Sequence, residues 1–338
     1  MYDYIIVGAG LSGSMLGFLL KKNGYNVIIL EKQQLNKKVK LCGGIITPKT
    51  YNLLAEEFSR KDIDNIVDIE FKECNIIDKK TICLDNINIK IVDRQKLDDY
   101  ILNEYLKIGG EVIENIKIED INFSKNTIVT GAKEYKFKYL VGADGTLSYV
   151  RKLLTGKIQN KNFALESFQK NNTKINFTIE FLNNYKGYNW IIPKQKEVCI
   201  GTGNIKGETK IEYIYNDLVK RYNLKEDKKG AFLPTGNDIL LNKKNIYFIG
   251  DAAGLISPIT GEGIYYALYS AQALFKHFSK NDSYIAVMKN IIKKIKLERF
   301  LINIIYNNKI RNFVFNQMYK NNKLSKCITK YAKKILLN

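Results

Sequence analysis

Three glycines at a fixed spacing near the start of the chain give the strongest chemical signal in the sequence. The run Gly8-x-Gly10-x-x-Gly13 is followed by Glu31 and Lys32 at the end of the next apolar segment. Glycines at this spacing permit a tight turn, a close approach of the backbone to a pyrophosphate, and close packing of a helix on a strand. A helix that begins in this turn offers free N–H groups to phosphates, and a carboxylate such as Glu31 accepts hydrogen bonds from ribose hydroxyls. The pattern predicts a dinucleotide-binding site.

A second glycine-rich run, residues 250–264, decides between the dinucleotides. NAD and FAD both fit the first motif. An acid at the end of a strand can hold a ribityl hydroxyl, and glycines at a helix start can present N–H groups to a flavin carbonyl, which stabilises negative charge on the reduced ring. This run therefore favours FAD. The residues of the run that we expect to bind the cofactor are Gly250, Asp251, Pro258, Gly261, Glu262, Gly263 and Ile264.

The elements that must position these motifs are those of an α/β fold. Residues 4–7 form an apolar strand, a helix follows the glycine turn, and a second apolar strand spans 27–30, which together predict a βαβ unit and a parallel sheet. A helix is predicted over 94–108. Residues from about 160 to 235 show the alternation of antiparallel strands exposed on one face, with a helix over 211–222. Everything after Asp282 is predicted to be helical.

The fold class is therefore α/β, with a Rossmann-type FAD-binding domain, an inserted antiparallel-sheet substrate domain and a helical C-terminal tail. The predicted boundaries are a FAD-binding domain over 1–160, with substrate-domain strands within about 61–93, a substrate domain over 161–240, a return to the FAD-binding domain over 241–280, and a helical C-terminal region over 281–338.

Several motifs together resemble those of a known flavoprotein superfamily. The glycine motif with Glu31, the Ala143-Asp144-Gly145 turn and the Gly250-Asp251 run occur in the order found in the superfamily of p-hydroxybenzoate hydroxylase. Within it, the run over 250–264 is similar to that of the geranylgeranyl reductase family. Three further motifs support this resemblance, which covers residues 1 to about 275: Cys42-Gly43-Gly44, Tyr188-x-Trp190-x-x-Pro193 and Gly230-x-x-x-Pro234.

The resemblance implies roles for individual residues. Arg94 matches the family arginine that reaches the FAD pyrophosphate and ribityl region, although an arginine at a helix start can also be a surface residue. Asp144 matches a turn that contacts the cofactor region, and its alternative role is that of a simple turn former. Cys42 matches a cysteine that lies beside the flavin and is tied to reductase activity, with Gly43 and Gly44 permitting close approach to the ring. A single cysteine is otherwise more often buried and inert.

Three residues with the spacing of a strand are candidates for the wall of a substrate cavity. Tyr188, Trp190 and Ile192 share one face because side chains alternate along a strand. Trp190 is the only tryptophan in the chain and could instead be part of the core. The cavity that these residues would line is apolar, which suits an isoprenoid or another lipid-like substrate.

The resemblance implies an enzyme that reduces carbon–carbon double bonds of a polyprenyl or lipid-like substrate by hydride transfer from reduced flavin. The sequence has no second dinucleotide motif, so we expect the reductant to be transiently bound NAD(P)H or an electron-carrier protein. Two alternatives stay open, a FAD-dependent monooxygenase and a halogenase acting on a small aromatic or olefinic compound. The segment Trp190-x-Ile192-Pro193 partly matches a halogenase motif, whereas we find no match for the halogenase lysine motif.

Composition narrows the function classes further. The net charge is +20, but only six of the 54 basic residues are arginine, which disfavours nucleic acid as a partner. One histidine and five cysteines without a Cys-x-x-Cys pair indicate neither a metal site nor a disulfide framework. No signal-peptide pattern and no run of 18 apolar residues is present, so we expect a cytoplasmic protein. Residues 281–338 carry 13 basic and two acidic residues in an amphipathic pattern, which indicates either a solvated helix face or contact with an anionic membrane.

Overall fold

The computed structural model describes residues 1–37, 40–131, 133–170, 175–204, 210–225, 227–320 and 330. Its strands are β1 Tyr2–Val7, β2 Val27–Leu30, β3 Ile45–Ile46, β4 Val67–Phe71, β5 Cys74–Asp78, β6 Lys80–Leu84, β7 Ile89–Val92, β8 Glu111–Ile113, β9 Asp120–Asn122, β10 Thr127–Thr130, β11 Lys133–Gly142, β12 Lys161–Lys170, β13 Thr178–Phe181, β14 Gly187–Pro193, β15 Glu197–Asn204, β16 Lys229–Pro234, β17 Asn242–Lys243 and β18 Ile246–Phe248. Its helices are α1 Leu11–Lys22, α2 Pro48–Glu57, α3 Arg60–Ile66, α4 Arg94–Lys107, α5 Tyr149–Thr155, α6 Ile211–Arg221, α7 Ile264–Lys280, α8 Tyr284–Ile305 and α9 Asn308–Lys320.

The first of two compact units is built from residues 1–40, 95–160 and 234–297. Its main sheet has the strand order β17-β18-β11-β1-β2-β8, and β9 and β10 extend it beside β11. Strand β1 is parallel to both β2 and β11, and β11 is parallel to β18. The last four residues of β1 and all four of β2 are buried, as expected for a parallel sheet. The predicted βαβ unit over β1, α1 and β2 is confirmed.

The second unit is built from residues 41–94, 161–233 and the described part of 298–338. Its large sheet has the order β16-β12-β15-β14-β13-β5-β6, and a small sheet has the order β3-β7-β4. Helix α6 packs against β12 and β15 on one face of the large sheet. Apolar residues of β3, β4 and β7 pack against the other face. The expectation of strands exposed on one face is therefore wrong for β14 and β15, whose residues are almost all buried.

The boundaries of these units differ from the predicted domain boundaries. Residues 41–60 lie in the second unit, because β3 pairs with β7 through Ile45 and Ile91. The predicted C-terminal region is divided at residue 297, within α8. Helix α9 is tied to the large sheet of the second unit by an ion pair in which Arg311 Nε lies 3.0 Å from Asp78 Oδ2. The predicted helical residues 321–329 and 331–338 lie outside the described part of the chain.

None of the helices in the described residues has the length and apolar character needed to cross a membrane.

Candidate functional site

Four neighbouring parallel strands of the first unit each end in a predicted cofactor residue. Gly8 follows β1, Glu31 follows β2, Asp144 comes two residues after the end of β11, and Gly250 comes two residues after the end of β18. These strands are adjacent in the order β18-β11-β1-β2. Ligands of open parallel sheets bind outside the carboxyl ends of the strands. The topology therefore gathers residues that are up to 240 positions apart in sequence at one edge of one sheet.

The glycine turn after β1 is tight on its protein side and open at Gly10. Gly8 has a φ of +107°, which a residue with a side chain rarely adopts. A Cβ atom on Gly13 would lie only 1.9 Å from the carbonyl oxygen of Gly8, whereas a Cβ on Gly10 would meet no protein atom within 4 Å. Gly10 directly precedes the first residue of α1. The turn thus leaves space for a phosphate group where the helix N-terminus begins.

Glu31, the predicted ribose-binding residue, holds the glycine turn in place. Its carboxylate is buried and accepts hydrogen bonds from the N–H of Ala9 at 2.8 Å and from the N–H of Gln33 at 3.0 Å. Each oxygen of a carboxylate can accept more than one hydrogen bond, which a residue that also binds ribose hydroxyls would need. Lys32, next to it, is exposed.

Asp144 has a structural partner on one oxygen and none on the other. Its Oδ2 accepts hydrogen bonds from the N–H groups of Tyr149 at 2.6 Å and Val150 at 3.1 Å, at the start of α5. Its Oδ1 is buried and has no hydrogen-bond partner among the described residues. Burial raises the pKa of Asp144, an effect that the hydrogen bonds at the helix start oppose. Asp144 therefore does stabilise the local turn through Oδ2, as its alternative role requires. Its Oδ1 could still accept a hydrogen bond from a polar group of a ligand.

The run over 250–264 folds into two linked turns that lead into α7. The Gly250 N–H donates to Ser270 Oγ of α7 at 2.9 Å, and Asp251 Oδ2 lies 3.7 Å from Lys40 Nζ. The chain then closes on itself, because the Ser257 N–H donates to the carbonyl of Glu262 and the Gly261 N–H donates to the carbonyl of Ser257, both at 2.9 Å. Pro258 is buried in this turn.

The run brings the half-buried Asp251, near its beginning, beside the helix N-terminus at its end. A Cβ atom on Gly263 would lie 3.5 Å from Asp251 Oδ1, and α7 begins at the buried Ile264. The run thus places an acid and the positive end of a 17-residue helix together. This is the pairing that the sequence predicts for a ribityl hydroxyl and a flavin carbonyl.

The segment Cys42-Gly43-Gly44 belongs to the second unit and packs on its sheets. A Cβ on Gly43 would lie 2.4 Å from Ile192 Cδ1, and a Cβ on Gly44, at a φ of +79°, would lie 2.0 Å from the carbonyl oxygen of Val92. Gly44 is therefore required by the backbone conformation and by protein packing, whereas the contact at Gly43 is with the end of a side chain that can move. Cys42 is half-buried and contributes, after burial, to the raised pKa of Tyr188.

The three predicted wall residues do share one face of β14. Trp190 and Ile192 are buried in an apolar cluster with residues of β5, β6 and β7, and Tyr188 packs at its edge with its ring centroid 5.9 Å from that of Trp190. The indole lies over Gly201, where a Cβ would be 2.4 Å from the ring. Trp190 and Ile192 are thus core residues of the second unit, and their predicted contact with a substrate stays a prediction.

Glu166 is a buried acid that the sequence reasoning missed. It lies on β12, is 5% exposed, and its Oε2 accepts a weak hydrogen bond from the Cys199 thiol at 3.5 Å. Burial raises the pKa of Glu166 to about 7, against the lowering effects of Cys199, Lys194, Trp190 and Arg94. Arg94 itself is buried at the start of α4. The signal in the sequence is an acid with an apolar residue two positions away on each side, Ala164 and Phe168, on the same face of the strand.

Comparisons with known proteins agree with this arrangement. A family model described as FAD binding domain matches residues 1–58, and one described as tryptophan halogenase matches residues 163–323. A protein of Methanosarcina barkeri described as uncharacterized is 31% identical over 292 residues, which cover 80% of this chain and 72% of the relative. A digeranylgeranylglycerophospholipid reductase of Methanococcus vannielii is 29% identical, covering 79% of this chain and 74% of the relative.

Solved structures with similar folds come from both reductase-like and halogenating proteins. A geranylgeranyl bacteriochlorophyll reductase-like protein of Thermoplasma acidophilum has a TM-score of 0.70 at 19% identity, covering 90% of this chain and 91% of the other. The flavin-dependent brominase Bmp2 has a TM-score of 0.74 at 19% identity, covering 100% of this chain and 94% of the other. At these identities the likeness concerns the fold.

The residues at the strand ends suit the dinucleotide they are expected to hold. Gly10 leaves open space for the pyrophosphate, Asp144 keeps an unpartnered oxygen, and Asp251 sits beside the N-terminus of α7. FAD is thus the cofactor that both the first family model and the site geometry support. The chain belongs to the geranylgeranyl reductase family of FAD-dependent oxidoreductases.

Proposed function

We propose that this enzyme reduces carbon–carbon double bonds in the polyprenyl chain of a lipid or lipid precursor. The observation that carries the proposal is the similarity, over about four-fifths of the chain, to digeranylgeranylglycerophospholipid reductases and to a geranylgeranyl diphosphate reductase of Rhodobacter capsulatus.

The residues of the first unit would hold FAD at the strand ends. Gly10 and the start of α1 would receive the pyrophosphate, Glu31 the adenosine ribose, and Asp251 the ribityl chain. The N-terminus of α7 would stabilise negative charge on the ring. The reduced cofactor supplies a hydride. Cys42 would have the catalytic role that the family resemblance implies.

A groove in the second unit offers a place for an extended substrate. It has a volume of about 530 Å³ and is lined by residues of α8, α9 and the turn before β14. Its walls combine apolar Ile302 and Tyr306 with the basic Lys186 and Lys309. Tyr306 also packs against Phe181, with ring centroids 5.9 Å apart. This pairing of apolar and basic groups suits an isoprenoid chain that carries an anionic end.

The test is product analysis under strict anaerobiosis. The FAD-loaded protein is reduced with dithionite and incubated with geranylgeranyl diphosphate or with a digeranylgeranylglycerophospholipid. We expect products heavier by two hydrogens for each double bond reduced, and none with the saturated phytanyl analogue. An unchanged substrate mass with every polyprenyl compound offered would overturn the proposal.

A second candidate function, oxygen-dependent halogenation, has one observation in its favour. The family model described as tryptophan halogenase matches residues 163–323, and Trp190-x-Ile192-Pro193 lies within that range. In this case product formation would need oxygen and a halide, and the substrate would be a small aromatic or olefinic compound. A FAD-dependent monooxygenase would need oxygen alone. Supplying reduced protein with oxygen and bromide, in the presence of an indole or phenol, tests both.

The proposal extends to the reductant and to the membrane. We propose that NAD(P)H or an electron-carrier protein reduces the flavin by transient contact.

We also propose that the C-terminal helices touch an anionic membrane, since Phe300 and Phe313 are 70% and 64% exposed in a segment with a net charge of +11. Flotation with vesicles of anionic lipid should carry the protein upward, and a doubled Phe300→Ser, Phe313→Ser variant should stay at the bottom.

A further inference from the structure

Exposed apolar side chains cluster on α5 and on the loops at its two ends, within the first unit. Leu147, Tyr149 and Ile158 are 43%, 37% and 40% exposed. The two loops are joined because Gln159 Nε2 donates a hydrogen bond to the carbonyl of Thr146 at 3.0 Å, which brings the segment of Ile158 next to that of Leu147. An exposed apolar cluster with a polar rim is typical of a protein-interaction site.

Basic side chains border these apolar residues. Lys152, in the last turn of α5, and Lys157 are exposed, and neither is paired with a carboxylate within the described part of the chain. The sequence over 145–160 holds three basic residues and no acidic one. An apolar centre with a basic rim suits a protein whose own contact surface is acidic at its rim. The surface, called the α5 patch below, consists of Leu147, Tyr149, Lys152, Lys157 and Ile158.

Two of the acids beside the α5 patch accept hydrogen bonds from its backbone. Asp144 Oδ2 accepts from the first N–H groups of α5, and Asp238 Oδ2 accepts from the N–H of Asn160 at 2.8 Å. Glu119, whose carbonyl accepts a hydrogen bond from the Tyr149 hydroxyl at 3.0 Å, is exposed at the rim. The acids at Asp144 and Asp238 thus hold the patch in place, and Glu119 opposes its positive charge.

Two buried side chains connect the α5 patch to the turn after β18. Arg151 of α5 donates to the carbonyl of Ala252 at 3.2 Å and to Gln159 Oε1 at 3.1 Å. Gln159 Nε2 donates to the carbonyl of Asp251 at 2.6 Å. Asp251 is the residue that the proposed function assigns to the ribityl chain. The length of one side chain therefore separates the patch from the turn that would hold the cofactor, and all these residues belong to the first unit.

We propose that the α5 patch docks an acidic electron-carrier protein that reduces the flavin, an inference that rests on the proposed function and selects one of its two reductants. Complexes between redox proteins are small and transient, and charge steers their formation. Two reduced carriers deliver one electron each in successive encounters, and each carrier is oxidised by one electron. The flavin takes up these two electrons and one proton from solvent, which gives the state that donates a hydride.

The test follows reduction of the FAD-loaded protein by a reduced plant-type [2Fe–2S] ferredoxin, an acidic one-electron carrier of low potential, in anaerobic stopped flow at low ionic strength. The doubled Lys152→Glu, Lys157→Glu variant should lower the second-order rate at least tenfold, and added salt should lower the parent rate, because salt screens the steering charges. The matched control Lys293→Glu, Lys296→Glu makes the same change in net charge at exposed positions of α8 and should lose no more than about threefold.

The second readout is binding of the oxidised ferredoxin to the FAD-loaded protein, measured by calorimetry without any turnover. The doubled Leu147→Ser, Ile158→Ser variant should bind at least fivefold more weakly, because it removes the apolar centre of the α5 patch. Photoreduction by 5-deazariboflavin, a small neutral reductant, should proceed at the parent rate in every variant. This control shows that the exposed substitutions leave the fold and the bound FAD intact.

The outcomes separate the docking site from the reaction. Reduction of the Lys152→Glu, Lys157→Glu variant at the parent rate, or an equal loss in the α8 control, would refute docking at this patch. A parent protein that NADPH reduces rapidly and ferredoxin does not would overturn the proposal in favour of the nicotinamide. Reduction by ferredoxin that is followed by no reaction with any polyprenyl alkene would overturn the proposed function and leave the docking site standing.

Discussion

Two alanine substitutions in the glycine turn should differ in their effect on stability, with only Gly13→Ala destabilising the protein, and have similar effects on cofactor affinity. In Gly13→Ala the new methyl group would lie 1.9 Å from the carbonyl oxygen of Gly8 and 3.2 Å from the Cβ of Ala143. Ordinary contact requires a backbone movement of about 1.5 Å between helix α1 and the turn, and neither neighbour is a flexible side-chain end. In Gly10→Ala the methyl group would meet no protein atom within 4 Å.

The expected magnitudes follow from these contacts. Overpacking of a tight contact costs roughly 1–3 kcal/mol, so Gly13→Ala should lower the melting temperature of the FAD-free protein by several degrees. The same distortion displaces the phosphate-binding N–H groups, and a cost of about 1–3 kcal/mol is a 5- to 150-fold loss in FAD affinity. Gly10→Ala should leave the FAD-free melting temperature within about 2 °C and still weaken FAD about tenfold, because its methyl group occupies the phosphate space.

The assay is a titration of FAD-free protein with FAD, followed by flavin fluorescence, beside thermal unfolding of the same samples. The matched pair separates two roles of the turn. Gly13 is needed for the packing of α1 on the turn, whereas Gly10 is needed to leave space for the phosphate. Full FAD affinity in Gly10→Ala would refute the placement of the pyrophosphate. An unchanged melting temperature in Gly13→Ala would refute the close contact between α1 and the turn.

The remaining predictions concern the ribose, the thiol and the helix α9. Glu31→Ala should weaken FAD at least tenfold in the same titration, because hydrogen bonds to a charged acceptor contribute about 1.5–3 kcal/mol and the bond to Ala9 is lost as well; unaltered affinity would contradict the ribose role. Cys42→Ser should retain FAD but change the flavin absorption spectrum or the turnover rate, and a variant identical to the parent in both would return this thiol to the inert class. Arg311→Met should lower the free energy of unfolding by about 3–5 kcal/mol in urea, since it leaves Asp78 buried and unpaired; a loss under about 1 kcal/mol would show that the pair contributes little.

The first unit follows closely from local sequence patterns. The continuous apolar runs on either side of the glycine motif and the helix signals after it define β1, α1 and β2 without reference to the rest of the chain. The strand ends at Asp144 and Gly250 are also local signals, and the convergence of all four at one edge is a consequence of parallel pairing. These motifs can be recognised because the residues of each motif are close in sequence, although Gly8 and Gly13 also pack against the distant Ala143.

Features that depend on contacts between residues far apart in sequence could not be predicted from local patterns. The tight packing of Gly43 depends on Ile192, which is nearly 150 residues away, and the membership of residues 41–60 in the second unit depends on the pairing of Ile45 with Ile91. Burial of Glu166 on both sides depends on α6 and on the small sheet, which no periodicity within β12 reveals. An acidic residue in a strand is predicted to be exposed to solvent unless it is known which elements pack against that face of the sheet.

The most direct test of the account is the fate of the reduced flavin in a single turnover. The dithionite-reduced, FAD-loaded protein is mixed anaerobically with a geranylgeranyl substrate in one stopped-flow experiment, and with oxygen, bromide and an aromatic acceptor in another. We predict rapid return of the oxidised flavin spectrum with the alkene, together with a product heavier by two hydrogens per double bond, and slow oxidation without a modified product in the presence of oxygen. A flavin that stays reduced with every alkene, but yields a halogenated or hydroxylated product with oxygen, would contradict the assignment as a double-bond reductase.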